Sequence, residues 1–291
     1  MTRSLLSLPR LSMPVLAVVM ALVSLTSAPV RADNAQTTSV NGGFMSFSTC
    51  SEEKPRTVVL LHDGLANAAV WDGVMPALCK QYRVVRYDRR GYGGSPRAFS
   101  DYAPVDDLAA LIKLVGATRV SLIGASAGGG IAAAFALQSP ESVDKLILVG
   151  PAIPGYPLSP AFLGRLKPFL DAQQKGDRTG AIAAITANPH MVSPNNQAAR
   201  DRLAAIMGKD ASDKGEGFQR PAPDLMKRIA ELRAPTLIVM GAGDDPQNIS
   251  QAEALKVMIP DVRLETVPNA AHLPYLEQPD AFLRLVSDFL K

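Results

Sequence analysis

From Thr37 onward the chain alternates short runs of β-branched and aliphatic residues with longer segments whose apolar positions return every three or four residues. Residues 57–61 (TVVLL) carry no charge, as expected of a strand covered on both faces in a parallel sheet. Residues 83–87, 120–123, 145–149, 236–240 and 262–267 repeat the theme. Residues 37–49 predict a hairpin that turns at Asn41-Gly42. Between these runs, Val105, Leu108, Leu111, Ile112 and Val115 share one face at helical spacing. A last helix opens at Pro279 and turns Phe282, Leu283, Val286 and Phe289 inward. Strands alternating with helices predict an α/β fold, a mostly parallel sheet with helices on both faces.

The rhythm breaks between about residues 154 and 233, where Pro, Gly and Asn punctuate helical pieces and no strand pattern appears. Phe162, Leu166, Phe169 and Leu170 give this stretch apolar helical faces, which predicts a helical insertion rather than a long loop. The insertion leaves the sheet after Gly150 and rejoins it at Thr236, so it stems from the carboxyl edge of the strands. Ligands of open α/β sheets bind at that edge, so the insertion is expected to form a cap. Phe162, Leu166, Phe169 and Met191 then face the cap's own core or a substrate.

The amino-terminal stretch stands apart. Arg3 and Arg10 precede an apolar run at 13–25 that is short for a bilayer span. Val30-Arg31-Ala32 then fits a signal-peptidase site. Residues 1–32 are expected to be a removed signal, residues 33–153 and 234–291 the core, and 154–233 the cap. The mature protein is then exported, periplasmic or secreted, with no stable membrane span. The 291-residue chain has 30 basic and 27 acidic residues, but Arg3, Arg10 and Arg31 lie in the signal, leaving 27 of each. The apparent basicity is therefore no sign of a nucleic-acid partner. With 47% hydrophobic residues there is ample material for a core. Cys50 and Cys79 are too few for a cysteine framework or a cysteine-based zinc site. In an oxidising compartment they form either one bridge, at the edge opposite the active site, or two separate packed thiols.

The chemistry concentrates at Gly124-Ala-Ser-Ala-Gly128, which follows an apolar strand and precedes an Ala-rich helix. That context marks a nucleophile elbow, with Ser126 exposed at the sheet edge and a helix N-terminus behind it. A serine hydroxyl needs a base to take its proton. Of His62, His190 and His272, the last lies in the loop between the final strand and the final helix, where the order Ser, acid, His requires the base. His62 and His190 are expected to be structural hydrogen-bonding residues. The orienting carboxylate is sought after 236–240, where Asp244 is expected to be the acid, counting from Gly241, and Asp245 is the alternative, counting back from Pro246. Gly64 and Ala127 are the expected backbone donors of an oxyanion hole.

The segments Leu60–Gly64, Tyr87–Ser95, Gly124–Gly128 and Asn269–His272 together resemble the α/β-hydrolase fold-1 family. That family includes carboxylesterases, lactonases, C–C bond hydrolases, cofactor-free haloperoxidases and epoxide hydrolases. The resemblance implies a serine hydrolase with a variable cap, acting without cofactor or metal. Asp63 departs from the pattern, which has glycine there, and sets a carboxylate beside the oxyanion hole. Ser126 excludes the epoxide hydrolases and dehalogenases, whose nucleophile is aspartate. The expected reaction is cleavage of small to medium apolar esters or lactones through an acyl-enzyme. C–C bond hydrolysis is the alternative, and a low-turnover ligand-binding member is a third reading.

Overall fold

The computed structural model describes residues 35–210 and 216–291. The expected signal segment and its cleavage site lie outside the described residues. The strands are β1 (Gln36–Val40), β2 (Gly43–Cys50), β3 (Thr57–Leu61), β4 (Arg83–Tyr87), β5 (Val120–Ala125), β6 (Val143–Val149), β7 (Thr236–Gly241) and β8 (Val262–Val267). They form one sheet in the order β1-β2-β4-β3-β5-β6-β7-β8. β1 and β2 make the hairpin, with Asn41 and Gly42 both at positive φ, and β2 pairs antiparallel with β4. Every later pairing is parallel.

The helices are α1 (Met75–Cys79), α2 (Pro104–Leu114), α3 (Ala127–Gln138), α4 (Pro160–Gln174), α5 (Arg178–Ala187), α6 (Gln197–Met207), α7 (Pro246–Met258), α8 (Pro274–Glu277) and α9 (Pro279–Leu290). Alternate strand residues feed two cores, one on each face of the sheet. Val59, Leu61, Leu122, Leu146, Leu148 and Ile238 pack with α2, α3 and α7. Val58, Leu60, Ile123, Ile147, Val149 and Leu237 pack with α1, α8 and α9. This is why the central strands read as unbroken apolar runs: both faces are covered. In α9, Phe282, Val286 and Leu290 are buried, whereas Leu283 and Phe289 sit half-buried on its flanks.

Residues 150–235 contribute three helices, α4 to α6, and no strand among the described residues. Their packing is uneven. Ile185, Met191, Val192, Leu203 and Ile206 join the core that holds Trp71 and Tyr275. By contrast α4 buries no residue fully, and Leu163 and Leu170 are 44% exposed. The inward face expected for α4 is therefore narrower than its sequence suggests: Leu166 and Phe169 touch the core, Phe162 is half-buried, and Leu170 points away from it.

At the amino edge of the parallel strands a disulfide joins Cys50, at the end of β2, to Cys79, at the end of α1, with the Cα atoms 5.9 Å apart. Among the described residues no helix is long and apolar enough to cross a membrane.

Candidate active site

The turn between β5 and α3 places Ser126 at φ 48° and ψ −115°, a conformation that side chains avoid. Such a residue costs about 1–3 kcal/mol and persists only where the surroundings hold it. Here they do: Ser126 N–H donates to the Val149 carbonyl (2.9 Å), and its own carbonyl accepts from Gly129 (2.9 Å) and Ala152 (3.0 Å). The flanking glycines are steric requirements. A Cβ on Gly124 would run into the Gly128 backbone, and one on Gly128 into the Leu61 and His62 carbonyls. The serine is half-buried, at the carboxyl edge of the sheet and the N-terminus of α3.

His272 is 4% exposed, and its Nδ1 lies 3.0 and 3.1 Å from the two carboxylate oxygens of Asp244. A carboxylate only accepts, so the neutral ring carries its proton on Nδ1 and presents Nε2 as the free lone pair. Burial opposes charge on the ring, but the Asp244 carboxylate, with smaller contributions from Asp63 and Asp245, outweighs it. The net effect raises the pKa of His272 above the usual imidazole value.

Asp244 and Asp245 diverge completely. The Oδ1 of Asp244 also accepts from the Asp245 backbone (2.7 Å) and from Asn248 Nδ2 (2.8 Å). Asp245 instead caps α7 through Gln247 N–H (2.9 Å) and forms a two-pronged ion pair with Arg165 of α4 (2.6 and 2.7 Å). Burial pushes its pKa up, but the Arg165 bonds prevail and hold it below the usual carboxylate value.

Gly150, the residue after β6, lies against His272. Gly150 has φ +47°, and a Cβ there would sit 2.9 Å from Cε1 and Nδ1 of His272. Its neighbour Val149 accepts from the Ser126 N–H, and a side chain at 150 would displace the imidazole.

Gly64 follows β3 and faces Ala127: a Cβ on Gly64 would lie 3.5 Å from that of Ala127. Among the described residues neither backbone N–H has an acceptor. Asp63, fully buried, turns away from this pair. Its Oδ1 accepts from Leu65 (2.7 Å) and Ala66 (3.0 Å), and its Oδ2 from the Tyr275 hydroxyl (2.8 Å). The departure from glycine thus ties the Gly64 loop to α8, three residues past His272. His62 is doubly bonded: Nδ1 donates to Asp63 O (2.7 Å), and Nε2 accepts from Arg89 N–H (2.9 Å). His190 lies in the helical segment, with Nδ1 on the Gly243 carbonyl (3.2 Å) and its carbonyl accepting from His272 N–H (3.1 Å).

Four supporting residues escaped the sequence reading: Gly150, Asn248, Tyr275 and Glu277. Glu277 accepts from Ala271 N–H (2.8 Å) and from Ser193 N–H (2.7 Å), clamping the His272 loop to the helical segment. Asn248 alone had a signal, standing one helical turn beyond Asp244. Among the described residues no group of three or more His, Cys, Asp or Glu side chains is arranged to hold a metal ion.

Residues 58–285 match the alpha/beta hydrolase family. A 2-hydroxy-6-oxononadienedioate/2-hydroxy-6-oxononatrienedioate hydrolase of Pseudomonas putida is 30% identical over 259 residues, covering 82% of this chain and 89% of that one. A pimeloyl-(acyl-carrier protein) methyl ester esterase of Aeromonas hydrophila is 28% identical over 250 residues, covering 80% of this chain and 94% of that one. Among solved structures, an esterase from Exiguobacterium antarcticum superposes with a TM-score of 0.76 at 22% identity, over 88% of this chain and 99% of that one. The elbow, the strand order and a family match over more than three quarters of the sequence lead to one conclusion: the chain belongs to the alpha/beta hydrolase family and is a hydrolase.

Proposed function

We propose that this hydrolase cleaves carboxylic esters or lactones of small to medium size, with Ser126 as nucleophile, His272 as general base and Asp244 as the acid that orients it. The observations that support the reading are the buried Asp244–His272 pair and a serine held in a strained elbow. His272 Nε2 takes the Ser126 proton as Oγ attacks the ester carbonyl. The oxyanion receives the N–H groups of Gly64 and Ala127. As the tetrahedral adduct collapses, the C–O bond to the alcohol breaks and the alcohol leaves with the proton from His272. Water, deprotonated by His272, then attacks the acyl-enzyme, releasing the acid and restoring Ser126. No step requires a cofactor.

The same proposal makes residues 154–233 a lid over the site. Its supports are the His190 carbonyl on His272 N–H, Glu277 on Ser193, and the Arg165–Asp245 ion pair. It also keeps export after removal of residues 1–32, which fits a disulfide at Cys50 and Cys79. Amino-terminal sequencing of the mature protein should begin near Asp33; Met1 on exported, active protein would contradict export by cleavage.

C–C bond hydrolysis is the second reading, supported by the Pseudomonas putida relative. Kinetics on p-nitrophenyl esters of graded chain length, against a vinylogous 1,5-diketone acid, separate the two. Ester turnover that vanishes in Ser126→Ala supports the ester reading, and turnover of the diketone alone refutes it.

A further inference from the structure

A cleft of about 200 Å³ opens beside the elbow, and Ala127 forms part of its wall. Gly130, Ile131 and Ala134 of α3 and the segment 219–223 also line it. The lining is mainly apolar, with two cations, Arg89 and Arg220, and no acidic residue. The two arginines differ. Arg220 pairs with Asp106 at 2.6 Å on the exposed rim. Arg89 is half-buried, and among the described residues no carboxylate pairs with it. The fully buried neighbours Arg86 and Arg90 each have one, Asp72 and Asp107 respectively.

Arg89 is also held in place. Its backbone N–H bonds the His62 ring, its Nη1 donates to the Asp63 carbonyl (3.2 Å), and its guanidinium stacks 5.1 Å above the Tyr92 ring. The Tyr92 hydroxyl in turn donates to the Gly64 carbonyl (2.8 Å). The cation is thus fixed against the loop that carries one proposed oxyanion donor, in a cleft whose wall carries the other. A partly buried charge without a counter-ion is unfavourable unless a ligand supplies one. A guanidinium fork matches a carboxylate in shape as well as charge.

We propose that this cleft is a substrate subsite, and that Arg89 selects esters bearing a carboxylate a few bonds from the scissile carbonyl. The inference rests on the ester reading above and narrows it: the substrate has a short apolar body and an acidic end. Arg89 belongs to the core loop after β4 and not to the helical insertion.

Two pairs of matched esters test this. Monomethyl glutarate and its uncharged isostere methyl 5-methylhexanoate carry the difference on the acyl side. 3-Acetoxypropanoate and isoamyl acetate carry it on the alcohol side. In at least one pair the wild-type enzyme should favour the charged ester in kcat/KM. Arg89→Gln should lower that charged-to-neutral ratio by roughly 10- to 100-fold, the scale of a charge-assisted hydrogen bond. Arg89→Lys should keep part of the ratio, and added salt should erode it in the wild type. The salt arm needs no variant, so misfolding of Arg89→Gln leaves the inference testable. A neutral preference in both pairs, or an unchanged ratio in Arg89→Gln, would overturn the Arg89 subsite while neutral esters are still hydrolysed. Absence of turnover on all four esters, with no labelling of Ser126 by a fluorophosphonate, would instead overturn the ester reading and this inference with it.

Discussion

The two edges of the sheet are built on opposite principles. At the amino edge, helix ends are closed off conventionally. Arg56 donates to the Leu290 carbonyl at the end of α9 (2.8 Å), Arg83 to the Val115 carbonyl after α2 (2.7 Å), and Lys145 to the Phe289 carbonyl (2.6 Å). Cations on helix C-termini are favourable, and the Cys50–Cys79 bridge and the Ser51–Cys79 hydrogen bond (2.7 Å) add to them. The carboxyl edge carries the strained serine and the buried ionisable groups of the site. Ser126 is strained, Asp63, Asp244 and His272 are buried, and among the described residues the Gly64 and Ala127 N–H groups have no acceptor. The amino edge holds the covalent and helix-end ties, and the carboxyl edge holds the candidate site.

The largest effect that could break this division is at Ser126. Ser126→Ala should lower turnover by about 10⁴- to 10⁶-fold and leave the melting temperature nearly unchanged, since the strained backbone remains. Steady-state kinetics with thermal unfolding checks both halves; a large loss of stability would mean the elbow serverd folding rather than chemistry.

Next comes the aspartate pair. Asp244→Asn should cost about 10⁴-fold in kcat, because the amide holds the His272 ring in the wrong tautomer. Asp245→Asn should weaken the α7 cap and the Arg165 pair, lowering stability by about 1–2 kcal/mol and changing KM more than kcat. If Asp245→Asn is the crippled variant, the roles assigned to the two carboxylates are reversed.

At the opposite edge, replacing Cys50 and Cys79 together by Ala should destabilise the protein by roughly 3–4 kcal/mol through freedom regained by the unfolded chain, with kcat unchanged. Denaturant unfolding and kinetics on one preparation measure both. A fall in kcat at full folding would show that the edges are coupled.

The smallest effect is in pH dependence. The base works only when neutral, so activity falls as pH drops through the His272 pKa. Burial alone would place that limb below the ordinary value of about 6.5, but the carboxylates around the ring move it above. A kcat/KM profile with its acid limb at or below 6.5 would mean that burial outweighs Asp244.

What was legible in the sequence follows the same division. The strands announced themselves because burial on both faces writes continuous apolar runs, and the elbow because steric crowding at Gly124 and Gly128 admits nothing larger. The sequence favoured Asp244 over Asp245 only by a count from Gly241, since two neighbouring residues fit one loop, and it is the chain's path that sends Asp244 to the imidazole. Gly150, Tyr275 and Glu277 left no local trace: each matters through a contact with a distant segment. The α4 stripe misled because four apolar residues at helical spacing do not reveal how wide the receiving surface is; Leu170 remains in solvent. Arg89 has no local signal, and only the fold shows that among the described residues no carboxylate pairs with it.

The central claim is that Ser126 is the activated nucleophile, and covalent labelling tests it most directly. The protein is treated with a fluorophosphonate near neutral pH, digested and mapped by mass spectrometry. A single stoichiometric adduct on the peptide carrying Ser126, absent from Ser126→Ala and strongly slowed in Asp244→Asn, is the predicted result. An adduct on any other residue, or rapid inhibition of the Ser126→Ala protein, would contradict the account.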